Sequence, residues 1–231
     1  MSLVMAGSQV IGLGGGLLSS GFSFSSNFPT IQNPLGSPWI NNNTSGFTKM
    51  QVTSAGLCCG TNTGSTYDDS YDYVNGTVGL TRYKLIGVVH RAASIPNDGL
   101  SREIEFHTMV NSETSSSIKL YETDIQYNTT GVPFVRWNGV SGDYTVASGS
   151  FNLNTLPANG DVLELDVNGT VHTLIQNSVN CGSIDVSTDA NLIASGGAIY
   201  TSGGAGIGAF IRPGGPLHTD LGWQSIQIMS F

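Results

Sequence analysis

Gly160–Gln176 reads GDVLELDVNGTVHTLIQ, two runs of alternating residues on either side of Asn168-Gly169. Asn-Gly supplies the positive-φ residues that a tight hairpin turn requires, so the stretch predicts two antiparallel strands. Which residues share a face depends on the loop. If Asn168 and Gly169 alone turn the chain, His172 joins Leu163 and Leu165, mixing polar with apolar. If Thr170 is added, Val167 pairs with Val171, and Leu163, Leu165, Val167, Val171, Thr173 and Ile175 form one apolar face. Glu164, Asp166, His172, Leu174 and Gln176 then lie opposite. The second register is the expected one, because a slip of one residue sends the apolar set to the wrong side.

Outward from the hairpin the same cadence recurs. Runs such as LTRYKLIGVVHR, SREIEFHTMV, SIKLYETDIQY and LGWQSIQIMSF are punctuated by Gly, Asn, Pro and Asp, and no segment holds a capped 3.6-residue apolar period. At 231 residues with 31 glycines and 10% charged residues, the chain reads as an all-β, two-sheet antiparallel β-sandwich. Residues 1–26 are rich in Gly and Ser with single hydrophobic residues and are expected to form an arm; residues 27–231 are expected to form the sandwich.

Charge and cysteine usage narrow the function. The formal charge is −8 and the 8 Lys and Arg are scattered singly, so no basic patch is present to hold a phosphate backbone, and nucleic acid is not an expected partner. The apolar tracts are broken well short of the ~20 residues needed to span a membrane, and MSLVMAGSQVIGLGGGLLSSGF lacks the basic start of a secretory signal. Cys58, Cys59 and Cys181 fit neither a disulfide scaffold nor a zinc site. Buried free thiols are expected, with pairing of Cys181 to Cys58 or Cys59 as the alternative. No cofactor is expected.

The order of segments carries a resemblance. NPLGSPW (33–39), VPFVRWNGVSGDYTVASGSF (132–151), LPANGDVLELDVNGTVHTLIQNS (156–178) and GAGIGAFIRPGGPLHTDLGWQSIQI (204–228) together resemble the concanavalin A-like (LamG-like) jelly-roll domains of phage virion proteins and bacterial surface proteins. The resemblance implies a jelly-roll fold and leaves activity open, since this fold hosts lectins, glycosidases, lyases and coat components. The arm at 1–26 and an insertion at 178–204 fall outside the family pattern, and both are expected to be contact surface.

Several groups bear on chemistry. Glu103, Glu105 and His107 alternate on one strand and so share a face. Glycosidases of the resembled superfamily carry a strand reading roughly E-x-D-x-x-E; here the middle acid is Glu105, and neither His107 nor Thr108 supplies the closing carboxylate, which breaks the match. Tyr121, Arg136, Trp137 and His172 complete the candidate glycan-binding set with Glu105 and His107, the aromatic rings offering flat apolar faces. Asp68, Asp69 and Asp72 are weak calcium candidates with no EF-hand spacing.

The function expected from the resemblance, the incomplete catalytic set and the two added segments is a non-enzymatic phage virion component: a capsid decoration, tail or fibre part. Its partners would be other virion proteins and copies of itself, in a homo-oligomer such as a trimer. The alternatives are an extracellular or virion-borne carbohydrate-binding module for host glycan, and a polysaccharide hydrolase or lyase.

Overall fold

A computed structural model describes residues 21–41, 46–61, 68–96, 99–114, 117–140, 142–212 and 219–231. Most of the arm expected at 1–26, residues 1–20, lies outside the described residues. In chain order the strands are β1 (Ser23–Ser26), β2 (Trp39–Asn41), β3 (Met50–Ser54), β4 (Leu57–Gly60), β5 (Asp68–Val74), β6 (Arg82–Arg91), β7 (Ser101–Thr114) and β8 (Ser117–Gln126). They continue as β9 (Gly131–Trp137), β10 (Tyr144–Asn152), β11 (Val162–Asn168), β12 (Val171–Gln176), β13 (Val179–Asp185), the short helix α1 (Ala190–Ala194), β14 (Gly204–Arg212) and β15 (Leu221–Ser230). One sheet has the order β13-β12-β11-β6-β15-β4-β3, with β1 also paired to β15; the other has the order β10-β9-β8-β7-β14-β5-β2. The chain is thus the two-sheet antiparallel sandwich that its alternation predicts.

Alternation also explains the core. On β6, Tyr83, Leu85, Gly87 and Val89 are buried while their neighbours are half-exposed. From the facing sheet, Ile104, Phe106 and Ile207 point inward to meet them. Phe106 stacks on Trp223 with ring centroids 4.8 Å apart, and the indole lies so close over Gly87 that a Cβ there would meet its Cε3 at 2.6 Å. Gly87 is the space that lets an aromatic pair fill the gap between the sheets.

The hairpin forms, but in a register that differs from the expected one. Asn168 pairs with Val171, Val167 with His172, Leu165 with Leu174 and Leu163 with Gln176, leaving Gly169 and Thr170 as the loop. His172 and Gln176 therefore point into the sandwich beside Leu163, Leu165, Val167 and Leu174. Distant partners make this affordable. His172 Nε2 is 3.1 Å from Thr108 Oγ1. The Gln176 amide donates to Asp161 and to Thr155, and accepts from the backbone N–H groups of Asn154 and Thr155. Gln176 has its bonds made and His172 has one of its two ring nitrogens bonded, which lowers the cost of burying them, so strict apolar segregation is not what sets this register.

Residues 178–204, expected to be an insertion, pack on the sandwich. They supply β13 to one sheet and lay α1 against β10. Asp189 caps α1 by accepting from Asn191 and Leu192 N–H, and the same carboxylate accepts from the backbone of Ser148 and Gly149 on β10. Cys58, Cys59 and Cys181 are buried free thiols.

Candidate functional site

The outer face of the seven-stranded sheet gathers its polar residues through register. His107 pairs with Glu122 and Glu105 with Asp124 across β7 and β8. Across β14, Gly208 lies opposite Glu105 and Phe210 opposite Glu103, while Phe210 is also opposite Asp69 on β5. Paired residues share a face, so five carboxyl groups and one imidazole converge. With Pro133, Val135, Trp137, Tyr144, Val146 and Phe210, the five acids line a pocket of about 270 Å³. They are five of only 16 acidic residues in the chain.

The floor of this pocket is tightly bonded. His107 Nε2 lies 2.9 Å from Glu105 Oε2 and 3.6 Å from Glu122 Oε2, with both Glu105 and His107 only 1% exposed. The Trp137 indole N–H donates to Glu122 Oε2 at 2.6 Å. Tyr71 presents its ring to the His107 ring at 5.5 Å. Beneath them Gly208 carries no side chain, and a Cβ there would meet His107 Cε1 at 2.6 Å and Nε2 at 2.7 Å, with Glu105 Oε2 closer still.

Burial and mutual repulsion split the acids by protonation. Burial pushes the Glu105 carboxyl well above the usual range, aided by the charges of Glu122 and Glu103. Asp69 and Asp124 are raised in the same way, burial first and neighbouring carboxylates after it. Glu103 is pushed up to about 8 by burial and by Glu122, against a hydrogen bond from Gln126. Glu122 goes the other way: burial raises it, but hydrogen bonds from His107, Asp124 and Trp137 outweigh that and hold it below the ordinary glutamate value. Burial and repulsion thus push four of the acids up, while hydrogen bonding holds Glu122 down.

Of the glycan-binding candidates, Glu105, His107 and Trp137 come together here, and the other three do not. Tyr121 lies inside the sandwich, stacked on Phe134 and edge-on to His172. His172 belongs to the opposite sheet and faces the core. Arg136 is buried, donating to the carbonyls of Leu192 and Ala198 and to Ser195 Oγ, so it pins the insertion to β9. Parity explains the split: Tyr121 and Arg136 are cross-strand partners on the inner face. The Asp-rich loop separates similarly. Asp69 joins the pocket, whereas Asp72 faces inward and accepts from the Met50 N–H at 3.0 Å, so the two share no calcium site. The Asp68 side chain is outside the described residues.

Trp137 itself is only 2% exposed, wedged between Phe47 and Tyr144. The accessible ring is Tyr144, 52% exposed at the pocket wall. Glu122 and Asp124 were not singled out by sequence reasoning. Their signal is a second acid-x-acid pair, Glu122 and Asp124, on the strand that follows Glu103-x-Glu105.

No protein-family model matches the chain, and no curated protein does. Solved structures do match. A galactohydrolase named for 1,3-α-1,4-β-D-galactose-4-sulfate-3,6-anhydro-D-galactose aligns at TM-score 0.50 and 11% identity, over 97% of this chain and 99% of its own. A prokaryotic β-1,3-1,4-glucanase (lichenase) from a mouse hindgut metagenome aligns at TM-score 0.50 and 11% identity, over 89% and 98%. The carbohydrate-binding module CBM66 from Bacillus subtilis aligns at TM-score 0.48 and 8% identity, over 84% and 92%. The fold is a concanavalin A-like jelly roll. The two matches at TM-score 0.50 are named for carbohydrate hydrolases, which goes against the expectation of a non-enzymatic phage virion component. The strand with the broken E-x-D-x-x-E match, β7, is one of six that line the pocket, with β5, β8, β9, β10 and β14.

Proposed function

We propose that the protein acts on glycans outside the cell, binding a saccharide in the pocket over β7 and β8 and cleaving a glycosidic bond there. The observation that carries this reading is the pocket itself: converging carboxyl groups beside an exposed aromatic wall. Glu103 and Asp124 are the acids nearest the solvent side of the floor, and they sit diagonally across the β7–β8 pair. Glu103, pushed up to about 8, is assigned as the donor to the leaving oxygen. Tyr144 offers the ring on which a sugar stacks. The fold matches named for a galactohydrolase and a glucanase support the substrate class.

The test is release of reducing ends from a panel of β-glucans and galactans by the purified protein, with binding to the same polysaccharides measured separately. Glu103→Gln is expected to lower the rate about 10²–10⁴-fold while leaving binding intact, and Tyr144→Ala to weaken binding. Neither product nor binding across the panel would overturn the reading; binding without product would remove the cleavage step.

A further inference from the structure

We infer that Glu105, His107 and Glu122 form a site for one divalent transition-metal ion at the floor of the pocket. One ligand atom from each lies within 4.8 Å of the other two, and two of the separations are 2.9 and 3.6 Å. Three atoms so spaced can be reached from a common point at roughly 2.0–2.4 Å, close to the span of Zn–N and Zn–O bonds. One imidazole nitrogen with two carboxylate oxygens is a donor set suited to Zn²⁺ or Mn²⁺ rather than to Ca²⁺, which prefers all-oxygen ligation. The surroundings are those of an oriented set. Trp137 fixes Glu122 from behind, as outer partners fix the ligands of metal sites. Gly208 leaves open the cradle that any Cβ would fill.

Two further observations point to a cation. Among the described residues Asp124 Oδ1 is a buried oxygen with no hydrogen-bond partner, on a carboxyl bonded to Glu122. Among the described residues the pocket lining contains five acids and no Lys or Arg; Arg102 pairs with Asp220, and Arg136 donates to the carbonyl of Leu192. The inference stands on the geometry of three side chains and not on the glycan reading, since ion binding is measured without saccharide.

The test uses the untagged protein, stripped with EDTA, titrated with ZnCl₂ and separately MnCl₂ by calorimetry, with bound metal counted by elemental analysis. One ion per chain is expected, with affinity lowered at least about tenfold in both His107→Gln and Glu122→Gln and unchanged in Asp185→Asn, an acid on β13. Circular dichroism checks that each variant is folded, and two separate ligand variants guard against one failing to fold. Absence of saturable one-to-one binding by the folded wild type would overturn the site, and so would equal affinity in a folded ligand variant.

Discussion

The indole N–H of Trp137 on β9 donates to the Glu122 carboxylate on β8, and the two residues stand on neighbouring strands of one face. A tryptophan that the sequence offers as a sugar-stacking candidate is buried and holds an acid in place. Trp137→Phe keeps most of the ring and removes only the donor. It is expected to cost about 1.5–3 kcal/mol, the value of a hydrogen bond to a charged group, and to let the Glu122 pKa rise. Chemical denaturation, together with carboxyl titration followed by NMR, would check both.

Gly208 is the second handle on the same floor. An alanine Cβ would drive into Glu105 and His107, so Gly208→Ala is expected to destabilise by about 1–3 kcal/mol, as overpacking does. Thermal melts measure the loss. An unchanged melting temperature would mean that the Glu105–His107 pair does not lie over β14.

His172 gives the fold a pH signature. Burial lowers its pKa from 6.5 to about 4, while hydrogen bonding at Thr170 and the charge of Asp185 work the other way; Tyr121 and Phe134 pack against the ring. Its folded pKa lies below its unfolded value, so the unfolded state binds the proton first as pH falls. The contribution is complete above about pH 6.5 and is lost on descending toward pH 4. A shift of this size corresponds to roughly 3 kcal/mol. Stability curves at pH 7, 5.5 and 4 should show the loss, and His172→Gln should flatten it.

Asp189 joins the insertion to the sandwich. It caps α1 and accepts from Ser148 and Gly149 N–H and from the Ser148 hydroxyl, and these bonds hold its pKa below the usual aspartate value against the effect of burial. Asp189→Ala is expected to cost about 1–2 kcal/mol, as loss of a helix cap does. It should also speed amide exchange at Ser148 and Gly149 ahead of the rest of β10. Uniform exchange across β10 would show that the helix is held by other contacts.

Period-two alternation made the sandwich legible, because strands such as β6 bury every second residue whatever their partners. It also put Glu103, Glu105 and His107 on one face. Glu122, Asp124 and Asp69 could be added only through register, since β5 reaches β7 by way of β14, which lies more than 130 residues further along the chain. The hairpin register failed for a related reason. His172 and Gln176 look like surface residues until Thr108, Asp161 and Asn154 are brought beside them. Polar satisfaction depends on residues far apart in the chain, and local periodicity does not record it.

The pairing of β1 with β15 has a mechanical consequence. Ser23 lies opposite Met229 and Ser26 opposite Ile226, with Phe22 and Ser230 bonded at the end of the ladder. Tension applied through residues 21 and 231 would enter at that same end and part the ladder one bond at a time. Such peeling needs far less force than sliding the strands past each other, so under load β1 would let go first while the core and the acidic pocket stayed whole.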